Sequence, residues 1–144
     1  MDTKEGILVV GDRGRFILPG GGAKRNESRR AAAIRELREE TGLRATKTTY
    51  LFPYEGSAFR GKGGQLIRNE HKVFLLETNG EASPKSEIRR IAYYKNENVE
   101  LSRGSREIIE AYQRNKMEWL KCDYCGTSYR PKDTKNCPKC GAPK

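Results

Sequence analysis

Apolar positions fall into two rhythms along this chain. The run from residue 6 to 11, Gly-Ile-Leu-Val-Val-Gly, is short and unbroken, the pattern of a buried strand. Residues 12–15 (Asp-Arg-Gly-Arg) predict a turn, and residues 16–18 a second strand stopped by Pro19-Gly20-Gly21-Gly22. Residues 28–41 change to helical spacing. Ile34 and Leu37 form the apolar stripe with Ala31 in line, and Gly42 stands where a left-handed residue ends a helix. Further strands are expected at 48–54, 71–77 and 88–94, with a glycine-rich basic loop at 56–65. Ser105 is the expected cap of a second helix reaching Lys116, with Ile108, Ile109 and Tyr112 facing inward. After Leu120 the residues become Cys, Pro, Gly, Lys and Asp, which predicts a domain at 1–117 and a small module at 118–144. Strands, helix, strands, helix predicts an α+β fold, a mixed sheet sandwiched between helices.

Composition narrows this little. The 144 residues suffice for one domain and an appendage. With 35% hydrophobic and 33% charged residues, a modest core lies under a well-solvated surface. No apolar run approaches the roughly 18–20 residues of a membrane span. The polar start, Met1 to Glu5, lacks the apolar centre of a signal peptide, so the expected location is cytoplasmic and no membrane partner is expected. A net charge of +10 attracts polyanions such as nucleotides, other polyphosphates or RNA without choosing among them.

The first helix carries an unfavourable feature. Glu36, Glu39 and Glu40 share a face opposite Ile34 and Leu37, in the last two turns. Like charges at these spacings repel, and carboxylates near a helix C-terminus oppose its dipole. A cation turns that repulsion into coordination, and clustered carboxylates suit Mg²⁺ or Mn²⁺. Taken alone, the three glutamates read equally as a solvated face balanced by Arg35 and Arg38.

The surroundings decide the matter. Gly21, Glu27 and the run Arg35-Glu36-Leu37-Arg38-Glu39-Glu40-Thr41-Gly42-Leu43 have the spacing G-x5-E-x7-R-E-U-x-E-E-x-G-U, with U a bulky aliphatic residue. This resembles the signature of the Nudix hydrolase (MutT-like) family at all nine specified positions, and Leu18-Pro-Gly-Gly-Gly22 resembles its usual approach. The resemblance implies a Nudix-type fold and a phosphoanhydride hydrolase acting on a nucleoside diphosphate linked to another group. It implies that Glu36, Glu39, Glu40 and the Gly20 carbonyl hold Mg²⁺ or Mn²⁺. Arg35, Glu27 and Gly21 would orient those ligands. The general base would be Glu36 or Glu40, or Glu77 at the end of the strand Val73-Phe-Leu-Leu76. Family members usually have one more strand before the segment at 6–10. Here five residues precede it, so the sheet is short by a strand or a second copy covers its edge.

Other features carry less. Gly56-x4-Gly61-Lys62 approaches a phosphate-binding loop but continues with Gly63 in place of the magnesium-binding Ser or Thr. It reads as a hairpin loop whose Arg60 and Lys62 can reach phosphate, as can Lys24, Arg25, Arg29 and Arg30 around the signature. His71, the single histidine, has no histidine partner and reads as structural.

All four cysteines lie near the C-terminus. Cys122-x2-Cys125 and Cys137-x2-Cys140 are separated by eleven residues, each pair followed by glycine. Two such hooks fit tetrahedral Zn²⁺, and the segment resembles a zinc ribbon with no open ligand position, hence structural. Six cations against two carboxylates across 120–144 suit RNA, a protein partner, a homodimer contact or a brace on the hydrolase domain. Three functions follow: a nucleotide hydrolase, an RNA 5′-end pyrophosphohydrolase, or a nucleotide- or RNA-binding module without turnover.

Overall fold

The computed structural model describes residues 1–11, 14–117, 120–129 and 136–143. Part of the expected turn at 12–15, positions 118–119 at the expected boundary, and Arg130, Lys132, Asp133, Lys135 and Lys144 lie outside the described residues. The chain forms two compact units, Met1–Arg106 and Glu107–Lys144.

Strand β2 (Gly6–Gly11) is the centre of the first unit, with every residue buried. Strand β8 (Arg90–Tyr94) pairs antiparallel along one of its edges, from Ile7↔Tyr94 to Gly11↔Arg90. The other edge is shared by β1 (Asp2–Thr3) at its start and β3 (Phe16–Ile17) at its end. The five residues before β2 therefore supply a two-residue strand of their own. A parallel bridge from Phe16 to Leu101 makes the sheet mixed, with Phe16 N–H bonded to Glu100 C=O at 2.8 Å and Ser102 N–H to Phe16 C=O at 2.9 Å.

Helix α1 spans Arg29–Thr41. Ser28 is extended, and its hydroxyl accepts the Ala31 N–H at 3.0 Å, relieving one of the unpaired amides of the first turn. Gly42 ends the helix in the left-handed region (φ 76°) with its N–H on Arg38 C=O at 2.8 Å. Leu37 packs with Leu8, Leu43 and Leu76, and Ala33 and Ile34 flank this cluster. Fully burying one such leucine stabilises by roughly 1.5–3 kcal/mol. Ala31 is exposed and does not extend the stripe. At 100° per residue it lies about 120° around the helix from Leu37, whereas Ala33 lies one turn below it.

Strands β4 (Arg44–Glu55) and β7 (Glu70–Asn79) form a long antiparallel ribbon, both longer than the sequence predicted. Two register shifts in β4, at Ala45/Lys47 and Tyr50/Phe52, break the alternation that would have marked its full length. The expected loop at 56–65 contains β5 (Phe59–Arg60), which pairs with β6 (Leu66–Ile67) in a small hairpin beyond the ribbon's end. Helix α2 spans Arg103–Met117. Its cap is Ser102, not Ser105: the Ser102 hydroxyl accepts the Ser105 N–H at 3.3 Å and its carbonyl the Arg106 N–H at 2.9 Å. Buried Ser105 accepts instead from the distant Leu18 N–H at 2.9 Å, a contact that sequence spacing does not reveal. No helix among the described residues is long and apolar enough to cross a membrane.

Replacing Gly42 by alanine puts a Cβ in the left-handed region and against the Lys85 side chain. Thermal unfolding of Gly42→Ala is expected to show a loss of about 1–2 kcal/mol, roughly 4–10 °C in Tm.

Candidate active site

The side chain that assembles the site is Arg35. Its Nε and Nη2 donate to the two oxygens of Glu27 at 2.9 and 3.0 Å, a parallel fork that only a guanidinium supplies. Nη1 donates to Glu36 Oε1 at 2.8 Å and Glu39 Oε2 at 3.0 Å, and Nη2 also to Gly22 C=O at 3.1 Å. One cation thus ties the loop before α1 to two glutamates of its face. Hydrogen bonds from Arg35, and then from the Lys24 amide, hold the Glu27 carboxyl down at about 2. The hydrogen bonds to Glu27 and Glu36 raise Arg35 in turn.

Glu40 meets the loop elsewhere. Its Oε2 accepts the Gly20 N–H at 3.2 Å. Gly21 lies against Glu36, so closely that a Cβ there would collide with the Glu36 carboxylate. The Gly20–Gly21 backbone therefore runs directly over the two carboxylates, which glycine alone permits. A second segment holds the end of the helix: Lys85 N–H donates to Glu40 C=O at 3.0 Å and Ser83 N–H to Thr41 C=O at 2.9 Å. These two residues escaped the sequence reading, since no motif marks a backbone bond between distant segments.

Glu40 is half-buried and is pushed up to about 7, mainly by desolvation and further by the charges of Glu36 and Glu39; the Gly20 N–H opposes this. The donors on this face are all oxygens, the type hard divalent cations prefer. The electrostatic penalty on Glu40 is what a cation would remove, so the residues fit one.

The other predicted residues are placed as follows. Lys24 and Arg25 are exposed on the loop that Arg35 anchors. Arg60 and Lys62 belong to the β5–β6 hairpin, where Arg60 bonds Gly64 C=O at 3.3 Å. That hairpin extends the Glu55/Glu70 end of the ribbon, the end to which Arg29 of the first turn of α1 donates at 3.1 Å. It therefore sits toward the start of α1, while the glutamates sit toward its end. Glu77 is exposed in β7 opposite Lys47, and no hydrogen bond or ion pair joins its carboxylate to the helix among the described residues. His71 stacks on Tyr54, its cross-strand neighbour, with ring centroids 6.1 Å apart.

In the second unit the four cysteines converge. Their sulfurs lie within 4.8 Å of one another, with Cys122–Cys140 and Cys125–Cys137 each at 3.6 Å, and all four are free thiols. The two hooks repeat one design. Gly126 N–H returns to Cys122 C=O and Gly141 N–H to Cys137 C=O, both at 2.8 Å. Cys122 N–H bonds Thr127 C=O at 2.9 Å, and Cys137 N–H bonds Ala142 C=O at 2.8 Å. Hydrogen bonds from Thr127 hold the Cys125 thiol down at about 6, favouring the thiolate that a metal requires. The set fits tetrahedral zinc.

The Glu40 shift has a testable sign. An unperturbed glutamate titrates at 4.5, and Glu40 in the folded chain near 7. Its contribution to stability is present below 4.5 and lost as pH rises through 7. Glu40→Gln is therefore expected to raise Tm of the magnesium-free protein at pH 8, by roughly 2–5 °C, and to leave it unchanged near pH 4.

The NUDIX domain family profile matches residues 1–114. Among solved structures the chain is similar to one described as a nudix hydrolase family member from Chromobacterium violaceum. That pair shares 38% identity and a TM-score of 0.67, over 78% of this chain and 71% of the other. A MutT NUDIX hydrolase from Burkholderia pseudomallei is 20% identical over 76% of this chain and 90% of its own, with a TM-score of 0.62. The ORF135 protein of E. coli is 23% identical over 80% and 84%, also with a TM-score of 0.62. These last two share the fold. No curated protein matches the chain. The domain match and the 38% identical relative, spanning a chain whose signature glutamates are organised by one arginine, show that the chain belongs to the Nudix family of hydrolases, which cleave phosphoanhydride bonds.

Proposed function

We propose that the protein is a Mg²⁺- or Mn²⁺-dependent hydrolase that cuts the phosphoanhydride bond of a nucleoside diphosphate linked to another group. The observation that carries this is the Arg35 network, which fixes Glu36 and Glu39 while the Gly20–Gly21 backbone lies over Glu36 and Glu40. Glu36, Glu39, Glu40 and the Gly20 carbonyl would hold the cation. It would supply charge neutralisation at the bridging phosphates and a more acidic water. Arg35, Glu27 and Gly21 position these groups without touching substrate. Glu36 or Glu40 accepts the proton of the attacking water, with Glu77 as the candidate outside the helix. Lys24, Arg25, Arg60 and Lys62 are the candidate phosphate contacts.

The hydrolase domain is assigned to 1–117 and a zinc ribbon to 118–144, with Zn²⁺ on Cys122, Cys125, Cys137 and Cys140. A segment this short with so few apolar residues draws its folding free energy from the metal. Its role is structural, bracing the enzyme or meeting a protein partner, and the enzyme works in the cytoplasm. A binding module without turnover is the poorer reading, because such a module has no need of all three glutamates, Arg35 and both glycines.

Three measurements follow. Phosphate or nucleotide release is assayed with Mg²⁺ on nucleoside triphosphates, dinucleoside polyphosphates, ADP-ribose, nucleotide sugars and 5′-triphosphate RNA. At least one should turn over, and Glu40→Gln should lose that turnover by orders of magnitude. No turnover on any substrate would sink the enzyme reading. Gly21→Ala, which displaces the Glu36 carboxylate, is expected to lower kcat about 10–100-fold with little change in Tm. Metal analysis should find about one zinc per chain, absent in Cys122→Ser.

A further inference from the structure

Three of the five large hydrophobic residues that stand exposed, Tyr50 (44%), Phe59 (46%) and Leu66 (72%), lie on the β4–β7 ribbon or its terminal hairpin. Tyr50 is the cross-strand partner of Phe74, with their rings edge to face at 5.6 Å. Arg30 lies over the Phe74 ring at 5.4 Å and is locked there by bonds to Thr48, at 3.0 Å to its carbonyl and 2.7 Å to its hydroxyl. A tyrosine ring is thus held half-exposed beside a fixed guanidinium. The same stretch carries Arg29, Arg30, Arg60, Lys62, Arg68 and Lys72, all exposed, against only Glu55 and Glu70. Glu55 is already paired with Arg68 at 3.6 Å.

Exposed rings at intervals among cations match the requirements of a flexible polyanion with flat bases, since rings stack on bases and cations follow phosphates. The strip is less suited to a second copy of this chain, which would set one cationic surface against another. It is also continuous with the active site. Arg30 precedes Glu36 and Glu40 on α1 by six and ten residues, about 9–15 Å along the helix.

We propose that the first turn of α1, the β4–β7 ribbon and the β5–β6 hairpin bind a single-stranded polynucleotide. The bond cut at the glutamates is then at the phosphorylated end of that strand. The inference rests on the hydrolase reading, from which it takes the reaction and to which it adds a substrate class.

The test is binding, measured apart from turnover. Fluorescein-labelled single-stranded 12-mers of RNA and of DNA are titrated with zinc-loaded full chain without magnesium, from 50 to 300 mM salt. The proposal expects binding of at least one 12-mer, with log affinity falling against log salt at a slope of about −2 to −4, from three to six phosphate contacts. Tyr50→Ala and Phe59→Ala should each weaken it roughly tenfold, while Tyr50→Phe, which keeps the ring, should restore it. The double variant Arg60→Gln, Lys62→Gln should flatten the slope by about one unit.

No binding of either 12-mer at 50 mM salt would overturn the proposal. So would binding that none of these variants alters, or variants that change only the oligomeric state seen by sedimentation. Turnover of mononucleotides without 12-mer binding removes this inference and leaves the hydrolase reading intact. Binding of a 12-mer through the strip without turnover of any substrate supports the strip and removes the hydrolase reading.

Discussion

The site depends on a single guanidinium. Arg35 bonds Glu27, Glu36, Glu39 and the Gly22 carbonyl at once, so the loop before α1 cannot move without the helix face. Without it, three glutamates would share the C-terminal half of one helix with nothing to set their geometry. A lysine could neutralise one of them but could not hold Glu27 by a fork while reaching two more carboxylates. The glycines complete the arrangement by omission. Gly21 leaves space for the Glu36 carboxylate, and the Gly20 amide reaches Glu40.

Glu40 shows what this organisation costs. Half-buried beside two like charges, it holds its proton up to about pH 7 in the metal-free chain. A helix built for stability would carry something else there. Its position, fixed by the loop on one side and by the Lys85 amide on the other, is that of a group whose charge is meant to be met by a cation. The cysteine module follows the same logic with softer donors: two hooks bring four thiols within 4.8 Å, an arrangement unfavourable for thiolates unless a metal joins them.

The sequence revealed features whose causes are local. Ser28 and Gly42 bound α1 because capping and the left-handed turn act within a few residues, and the glutamate face follows from helical spacing. The pairs of cysteines are legible for the same reason. What was not legible is set by distant partners. Ser102 and Ser105 are equivalent caps by spacing, and only the Leu18 amide draws Ser105 away. The β5–β6 hairpin looked like loop because its strands are two residues long, and the hold of Ser83 and Lys85 on α1 runs through backbone that carries no signal. The Tyr50–Phe74–Arg30 assembly was hidden by the bulge in β4, which obscures which residues share a face.

The claim on which the account turns is that Arg35 organises an oxygen site for a divalent cation. It is tested most directly by titrating Mn²⁺ into the zinc-loaded full chain and following free Mn²⁺ by electron paramagnetic resonance, beside Glu36→Gln and Arg35→Lys. The account predicts saturable binding by the unaltered chain, loss of it in Glu36→Gln, and weakened binding in Arg35→Lys with the fold intact by circular dichroism. Equal Mn²⁺ affinity in all three chains would contradict it.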